Sequence, residues 1–303
     1  MSGRSQQLLG WFAVGFSTLV ACFWAFWGII ENFHEGWWGA SLGENLAMMV
    51  GQYFLMLNVF LAAALIGIRW PAVGGGLHVA AGVTAIWFFS GAGPRLLYPF
   101  IVCPLIGMGT CYWLGRPQPR RRAIAVVLGL PLLTLIVCGA EPAYRVSTRL
   151  DDGDRSARRL AANGVDLIWA PEGPGWPREG VNWEEAQRRC QYLSADGASL
   201  AEAPQNVWRL PTVEEAVRSM HRHGHNCGGS WDAANRSASY ERTPDKESPL
   251  WDVRSPIVYW WTATELNDRE ALMIVYDGKV WPREKSLQMG SLGFRAVSQP
   301  REK

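Results

Sequence analysis

Five stretches without a charged side chain dominate the first 140 residues: Leu8–Ile30, Leu46–Ile68, Ala72–Ser90, Leu96–Gly115 and Ala123–Ala140. A helix needs about 20 apolar residues to cross the hydrocarbon core of a bilayer. Inside that core every backbone polar group must be bonded within the chain, which leaves helices as the economical solution. The sequence therefore predicts an all-α membrane bundle of five helices over residues 1–140. The first stretch is too long for the apolar region of a signal peptide, lacks a small-residue cleavage site and is followed by further stretches. The third contains a Gly run and the fifth is short with an internal Pro131. Both residue types are tolerated where membrane helices pack closely.

Arginine sets the expected orientation. With five spans, Arg4, Arg69 and the "GRPQPRRR" connector (Arg116, Arg120, Arg121, Arg122) share one side, while the acidic, aromatic "ENFHEGWWGASLGEN" loop and Arg95 lie on the other. The positive-inside rule then makes the N-terminus cytoplasmic and everything after Ala140 extracytoplasmic, as in a bacterial inner membrane. Losing one span would reverse that side.

Residues 164–303 differ in kind. They carry 17 Lys and Arg against 20 Asp and Glu, a slightly acidic balance that lacks the basic stripe of a nucleic-acid binder. Residues 141–163 are charged and poor in large apolar residues, and read as a linker or a short surface helix (Ser156–Ala162). "VDLIWA" then reads as a strand. Asn182, three residues before Glu185, opens a helix whose buried stripe is Trp183, Ala186, Cys190 and Leu193. Thr212 and Glu215 form a capping box for a second helix with Val213, Ala216, Val217 and Met220 inward. A long irregular region, 221–256, precedes three strand-like runs: "IVYWWTATE", "ALMIVYDGKVWP" with an Asp277-Gly278 turn, and "LGFRAVS". Helices, long loops and late strands indicate an α+β domain.

The blocks "VNWEEAQRRCQYL", "WRLPTVEEA", "YWWTATE", "ALMIVYDGKV" and "GFRAV" occur in an order that resembles the C-type-lectin-like superfamily. The nearest branches are the Legionella collagen-like C-terminal domain and the formylglycine-generating (sulfatase-modifying-factor) family. The resemblance covers roughly residues 164–300, and "RLPT" at 209–212 is its most specific piece. It implies a small twisted antiparallel sheet, two helices and ligand-carrying loops, with Trp208 and one of Trp260 and Trp261 in the core. It also implies a buried, paired Arg209. Three departures limit the transfer of function. Ala296 stands where many relatives have the cysteine that pairs with the first helix, so a bridged Cys190 would have Cys227 as its partner. The late cysteine pair that binds copper in the aerobic enzymes is missing, as are the calcium motifs of sugar-binding animal lectins.

Several side chains are candidates for function. Cys190 and Cys227 are the two cysteines of the globular part; in an oxidising compartment two such cysteines can pair, and the alternative is two unrelated thiols. His221, His223 and His225 alternate just before Cys227, a set of metal-ligand types that equally suits a polar loop after a helix. Trp231 and Trp251, in the long region, are candidate stacking surfaces for a ligand, with Asp232, Arg242 and Asp252 as charged neighbours. Asp245 and Glu247 are expected in a solvated mixed-charge run. Thr212, Glu215, Arg209 and Trp208 are expected to be structural. His34 and His78 are lone histidines, in the outer loop and the third span, without a charged partner in any span.

No catalytic triad, phosphate loop or metal box stands out, and no cofactor is expected. The leading expectation is an integral membrane protein whose extracytoplasmic lectin-like domain binds a protein or carbohydrate. The alternatives are a divergent sulfatase-modifying-factor-like metalloenzyme and a structural subunit associated with other membrane subunits.

Overall fold

The computed structural model describes residues 2–89 and 98–300. It divides into two compact units, Met1–Phe33 with Leu42–Tyr144, and His34–Ser41 with Arg145–Lys303.

The first unit is helical: α1 (Gly3–His34), α2 (Leu42–Met48), α3 (Leu55–Arg69), α4 (Pro71–Phe88), α5 (Cys103–Leu114) and α6 (Arg120–Ser147). Its packing is inverted relative to a water-soluble bundle. Along α1, Ala13, Val14, Ser17, Ala21, Ala25 and Gly28 are buried, whereas Leu8, Phe12, Leu19 and Phe23 are exposed. Small residues inside and large apolar residues outside let helix backbones approach while presenting the lipid-compatible surface. A Cβ on Gly74 would stand 2.2 Å from the Cα of Gly67, so α3 and α4 touch backbone to backbone.

Among the described residues, three helices are long and apolar enough to cross a membrane: Gly3–His34, Pro71–Phe88 and Arg120–Ser147. A fourth is obtained if Leu42–Tyr53 and Leu55–Arg69, bent by 62°, count as one span. The expected span Leu46–Ile68 is therefore broken. A π-helical turn at Met49–Tyr53 ends at Phe54, whose backbone (φ −100°, ψ 8°) leaves the helical region before α3 begins. Such turns are a recognised source of helix kinks. The expected span Leu96–Gly115 starts outside the described residues, and its described helical part, Phe100–Leu114, is shorter than a full crossing. Arg95, Ser90 and Lys303 also lie outside them.

The second unit is α+β. Strands β1 (Arg158–Ala162), β2 (Val165–Trp169) and β11 (Val297–Ser298) form one antiparallel sheet in the order β1-β2-β11. A second sheet has the order β10-β7-β8-β9, from β7 (Tyr259–Glu265), β8 (Glu270–Val275), β9 (Val280–Glu284) and β10 (Leu292–Gly293). Two helices, α7 (Trp183–Tyr192) and α8 (Val213–Ser219), bury the stripes read from the sequence. The Asn182 side chain accepts from the Glu185 N–H, and Thr212 and Glu215 complete a reciprocal capping box. One core of Trp, Leu, Val and Ile side chains joins these elements.

Two readings of the sequence are corrected. Residues 141–163 are not a linker: α6 runs to Ser147, and 158–162 is strand β1 rather than a surface helix. The reason is the turn Asn163-Gly164, both at positive φ (52° and 78°), which closes a two-residue hairpin with Ala162 opposite Val165. The region 221–256 is not irregular throughout. It contains the hairpins β3–β4 (His221–Arg222, His225–Asn226) and β5–β6 (Ser230–Asp232, Ser237–Ser239). His223 and Gly224, again both at positive φ, make the first turn.

Candidate functional site

The residues nominated from the long region separate into exposed and buried groups. Asp232 and Arg242 are exposed and Trp231 is half-buried against the core. Asp232 is occupied locally: its carboxylate accepts from the backbone N–H groups of Ala234 and Asn235 and from the Asn235 amide. Trp251 is not a surface platform. It is 2% exposed and stacks on Trp260 at 3.6 Å between ring centroids, with the planes 8° apart. "SPLW" is apolar, and an indole at its end gains more from the core than from water. Asp252 is held by Arg155 at 2.8 Å, a structural ion pair at the edge of the same loop.

The histidines do not assemble a metal centre, and among the described residues no group of three or more His, Cys, Asp or Glu side chains could hold a metal ion. The hairpin explains why: His221 lies opposite Asn226, and Arg222 opposite His225, with His223 in the turn. The His221 Nδ1 contacts the Ser219 carbonyl at 2.6 Å, and burial lowers its pKa. Cys190 and Cys227 are both buried free thiols rather than a disulfide. Burial pushes the Cys190 thiol well up and the Cys227 thiol up to about 11. Trp208 is buried, with its indole N–H donating to the Ser194 carbonyl at 2.9 Å. Arg209 is paired as the resemblance implies, by two bonds to Glu215 of 2.7 and 2.5 Å, but its side chain remains 44% exposed.

The chemically dense part of the unit was read as solvated charge. Asp245, Lys246, Glu247 and Ser248 are all buried. Asp245 accepts from Arg149 at 2.9 Å and from Arg145 at 3.3 Å. Glu247 accepts the Leu150 N–H at 2.7 Å and the His223 N–H, and Ser248 donates to Asp152 at 2.9 Å. Lys246, 1% exposed, donates from its Nζ to the Ser255 carbonyl. Burial, and then the Arg149 charge, push it down to about 7 against the opposing pull of Asp252 and Asp245. This loop clasps the segment 145–152, so both are structural parts of the unit. No spacing signal in "DKES" distinguishes it from a surface run.

His34 also acquires partners. Its Nδ1 lies 3.0 Å from the Tyr276 hydroxyl and its Nε2 3.1 Å from the Tyr259 hydroxyl, which donates to Glu35 at 3.0 Å. Because Tyr259 gives its proton to Glu35, it accepts from Nε2–H, and the Tyr276 hydroxyl donates to Nδ1. The arrangement fastens the 34–41 segment to Tyr259 and Tyr276.

Two clefts among the described residues offer surfaces for recognition. One, of ≈ 590 Å³, is lined by Pro174, Pro177, Arg178, Arg189 and Leu200 among others. Leu200 is an exposed large apolar side chain of this unit, as are Trp38 and Leu150, and Arg178 is exposed beside it. The other, of ≈ 460 Å³, lies between β2 and α8 and is lined by Asp166, Thr212, Glu214, Glu215 and Arg218. Its charges are already matched, Asp166 by Arg159, Glu214 by Arg218 and Glu215 by Arg209. Comparison with protein-family models, with curated proteins and with solved structures finds no match to this chain.

Proposed function

We propose that this chain is a membrane-anchored binding protein. Five spans hold it in a bacterial inner membrane with the N-terminus cytoplasmic, and a C-type-lectin-like domain is displayed on the extracytoplasmic side to bind a protein or carbohydrate. The observation that carries this reading is the contrast between the units. One exposes Leu, Phe, Trp and Val and buries Ala, Gly and Ser, while the other buries its large apolar residues around a mixed sheet. The lectin-like assignment is supported by the early strands β1 and β2 sharing a sheet with β11, by the two capped helices, and by the bridge from Arg209 to Val297. Five spans require the bent pair and the helix at Phe100–Leu114 each to complete a crossing.

Binding is assigned to the cleft beside Leu200, where Pro174, Pro177 and Ala198 line the concavity together with the charged Glu172, Arg178, Glu179 and Arg189. A few polar groups on an apolar concavity are what a recognition site needs. In cells, a photo-crosslinking residue at position 200 is expected to trap a discrete partner or glycan, and one at position 236 is not. A reporter active only outside the cytoplasm, fused after residue 300, is expected to be active. An inactive fusion there with an active one near residue 118 would overturn the topology, and equal labelling from both positions would overturn the site.

A further inference from the structure

We propose that the second unit encloses a small-anion site of chloride size, whose donors are the Nη2 group of Arg295 and the indole Nε1 of Trp176. Arg295 is 1% exposed and makes no ion pair among the described residues. Its Nε donates to the Ala170 carbonyl at 2.8 Å, and its Nη1 donates to the carbonyls of Pro249, at 3.1 Å, and Leu250. Its Nη2 has no partner among the described residues. Trp176, 2% exposed, lies beneath the guanidinium, whose central carbon is 3.9 Å from the ring centroid, and its Nε1 is also without a partner among the described residues. The stacking puts the two unpartnered donors on side chains that lie directly against each other.

The shortage here is of negative charge as well as of acceptors. A guanidinium stays protonated, and carbonyl dipoles and an indole face supply no net charge. The carboxylates that act on Arg295, Asp152 and Asp154, are each bonded to Arg158, at 2.7 and 2.8 Å. Burial, followed by the Arg158 and Arg155 charges, presses the guanidinium down to about 9. A buried charge is tolerated when it is paired and its hydrogen bonds are complete. A water would complete the bonds, and an anion would supply both. Both donors are enclosed, so the occupant is monoatomic rather than an extended ligand. It would tie together the end of β2, the 249–250 loop, the turn at 173–176 and the approach to β11.

The test uses the full chain in detergent. Urea-dependent pulse proteolysis of the second unit is measured in sodium gluconate, with chloride or bromide replacing gluconate at constant ionic strength. A saturable rise in the urea midpoint with chloride is expected. Trp176→Phe keeps the ring face and removes the donor, and is expected to weaken the apparent chloride affinity at least tenfold. Bromide-soaked crystals are expected to show an anomalous peak at hydrogen-bond distance from Nη2. Equal midpoints in gluconate and chloride, together with no bromide peak, would overturn the proposal and leave water as the acceptor. If Trp176→Phe fails to fold, the wild-type titration and the bromide peak still decide the matter.

Discussion

Asp245 is the point at which the structure departs furthest from the expectation of a solvated loop, and it can be tested quantitatively. Its side chain and that of Arg149 are 3% and 5% exposed and lie 2.9 Å apart, whereas Arg145, its second partner, is 25% exposed. Removing one member of a buried pair leaves the other desolvated and typically costs about 3–5 kcal/mol. The Arg145 contact, partly in water, adds no more than about 1 kcal/mol. Asp245→Ala is therefore expected to destabilise the second unit by about 3–5 kcal/mol, a large share of the roughly 5–15 kcal/mol that stabilises a domain. In an Arg149→Met background the orphaned charge is gone, and the same substitution is expected to cost about 1–2 kcal/mol. Pulse proteolysis in urea, with fragments mapped to residues 145–300, reads both numbers from the full chain in detergent. Equal losses in the two backgrounds, or a loss below about 1 kcal/mol in wild type, would refute the buried latch.

Other substitutions probe separate elements. Thr212→Ala removes the hydroxyl that accepts the Glu215 N–H and is expected to cost about 1 kcal/mol, while Arg209→Ala, at a half-exposed pair, is expected to cost less than about 1 kcal/mol in urea denaturation. Trp251→Ala empties a stacked core position and is expected to cost about 3–5 kcal/mol, well above Trp231→Ala on the hairpin. Lys246 has a folded-state pKa of about 7 against an ordinary 10.5, so between those values the unfolded chain binds the extra proton. Its contribution to stability is therefore full above pH 10.5 and lost as pH falls towards 7. Lys246→Met is expected to flatten that part of the stability–pH curve, and an unchanged slope would count against a neutral buried amine. Cys190 and Cys227, free and buried, are expected to react with a maleimide only in denaturant, and to do so without prior reduction.

The sequence was most readable where local chemistry and burial agree. The caps at Asn182 and Thr212 and the stripes of α7 and α8 follow from spacing alone, because a helix needs both an end and a buried face. β1 was missed although its turn, Asn163-Gly164, is a strong hairpin signal, because Arg158 and Arg159 made the strand look like solvated chain. Leu160, its one buried residue, carries the packing. The 245–248 loop was illegible for a different reason. Three of its polar side chains, Asp245, Glu247 and Ser248, find their partners about a hundred positions earlier, in Arg145, Arg149, Leu150 and Asp152. No local pattern encodes a partner at that separation. The spans were legible as apolar stretches, but the bend at Phe54 depends on backbone geometry that hydropathy does not record.

The pairing of β11 with β2 has a consequence for the order of events in the cell. Val297 lies opposite Trp169 and Ser298 opposite Ile168, and Arg209 bridges to Val297 through backbone bonds in both directions. The sheet that opens the second unit is therefore incomplete until residue 298 has left the ribosome. Contacts across so many residues close slowly, since chain entropy is lost before they form. Until then Trp169, Trp251, Trp260 and Trp261 have no finished interior, and the strand edges of β2 and β7 stay open to other chains. A nascent form of this chain thus presents a long aromatic stretch with open strand edges until β11 closes on β2.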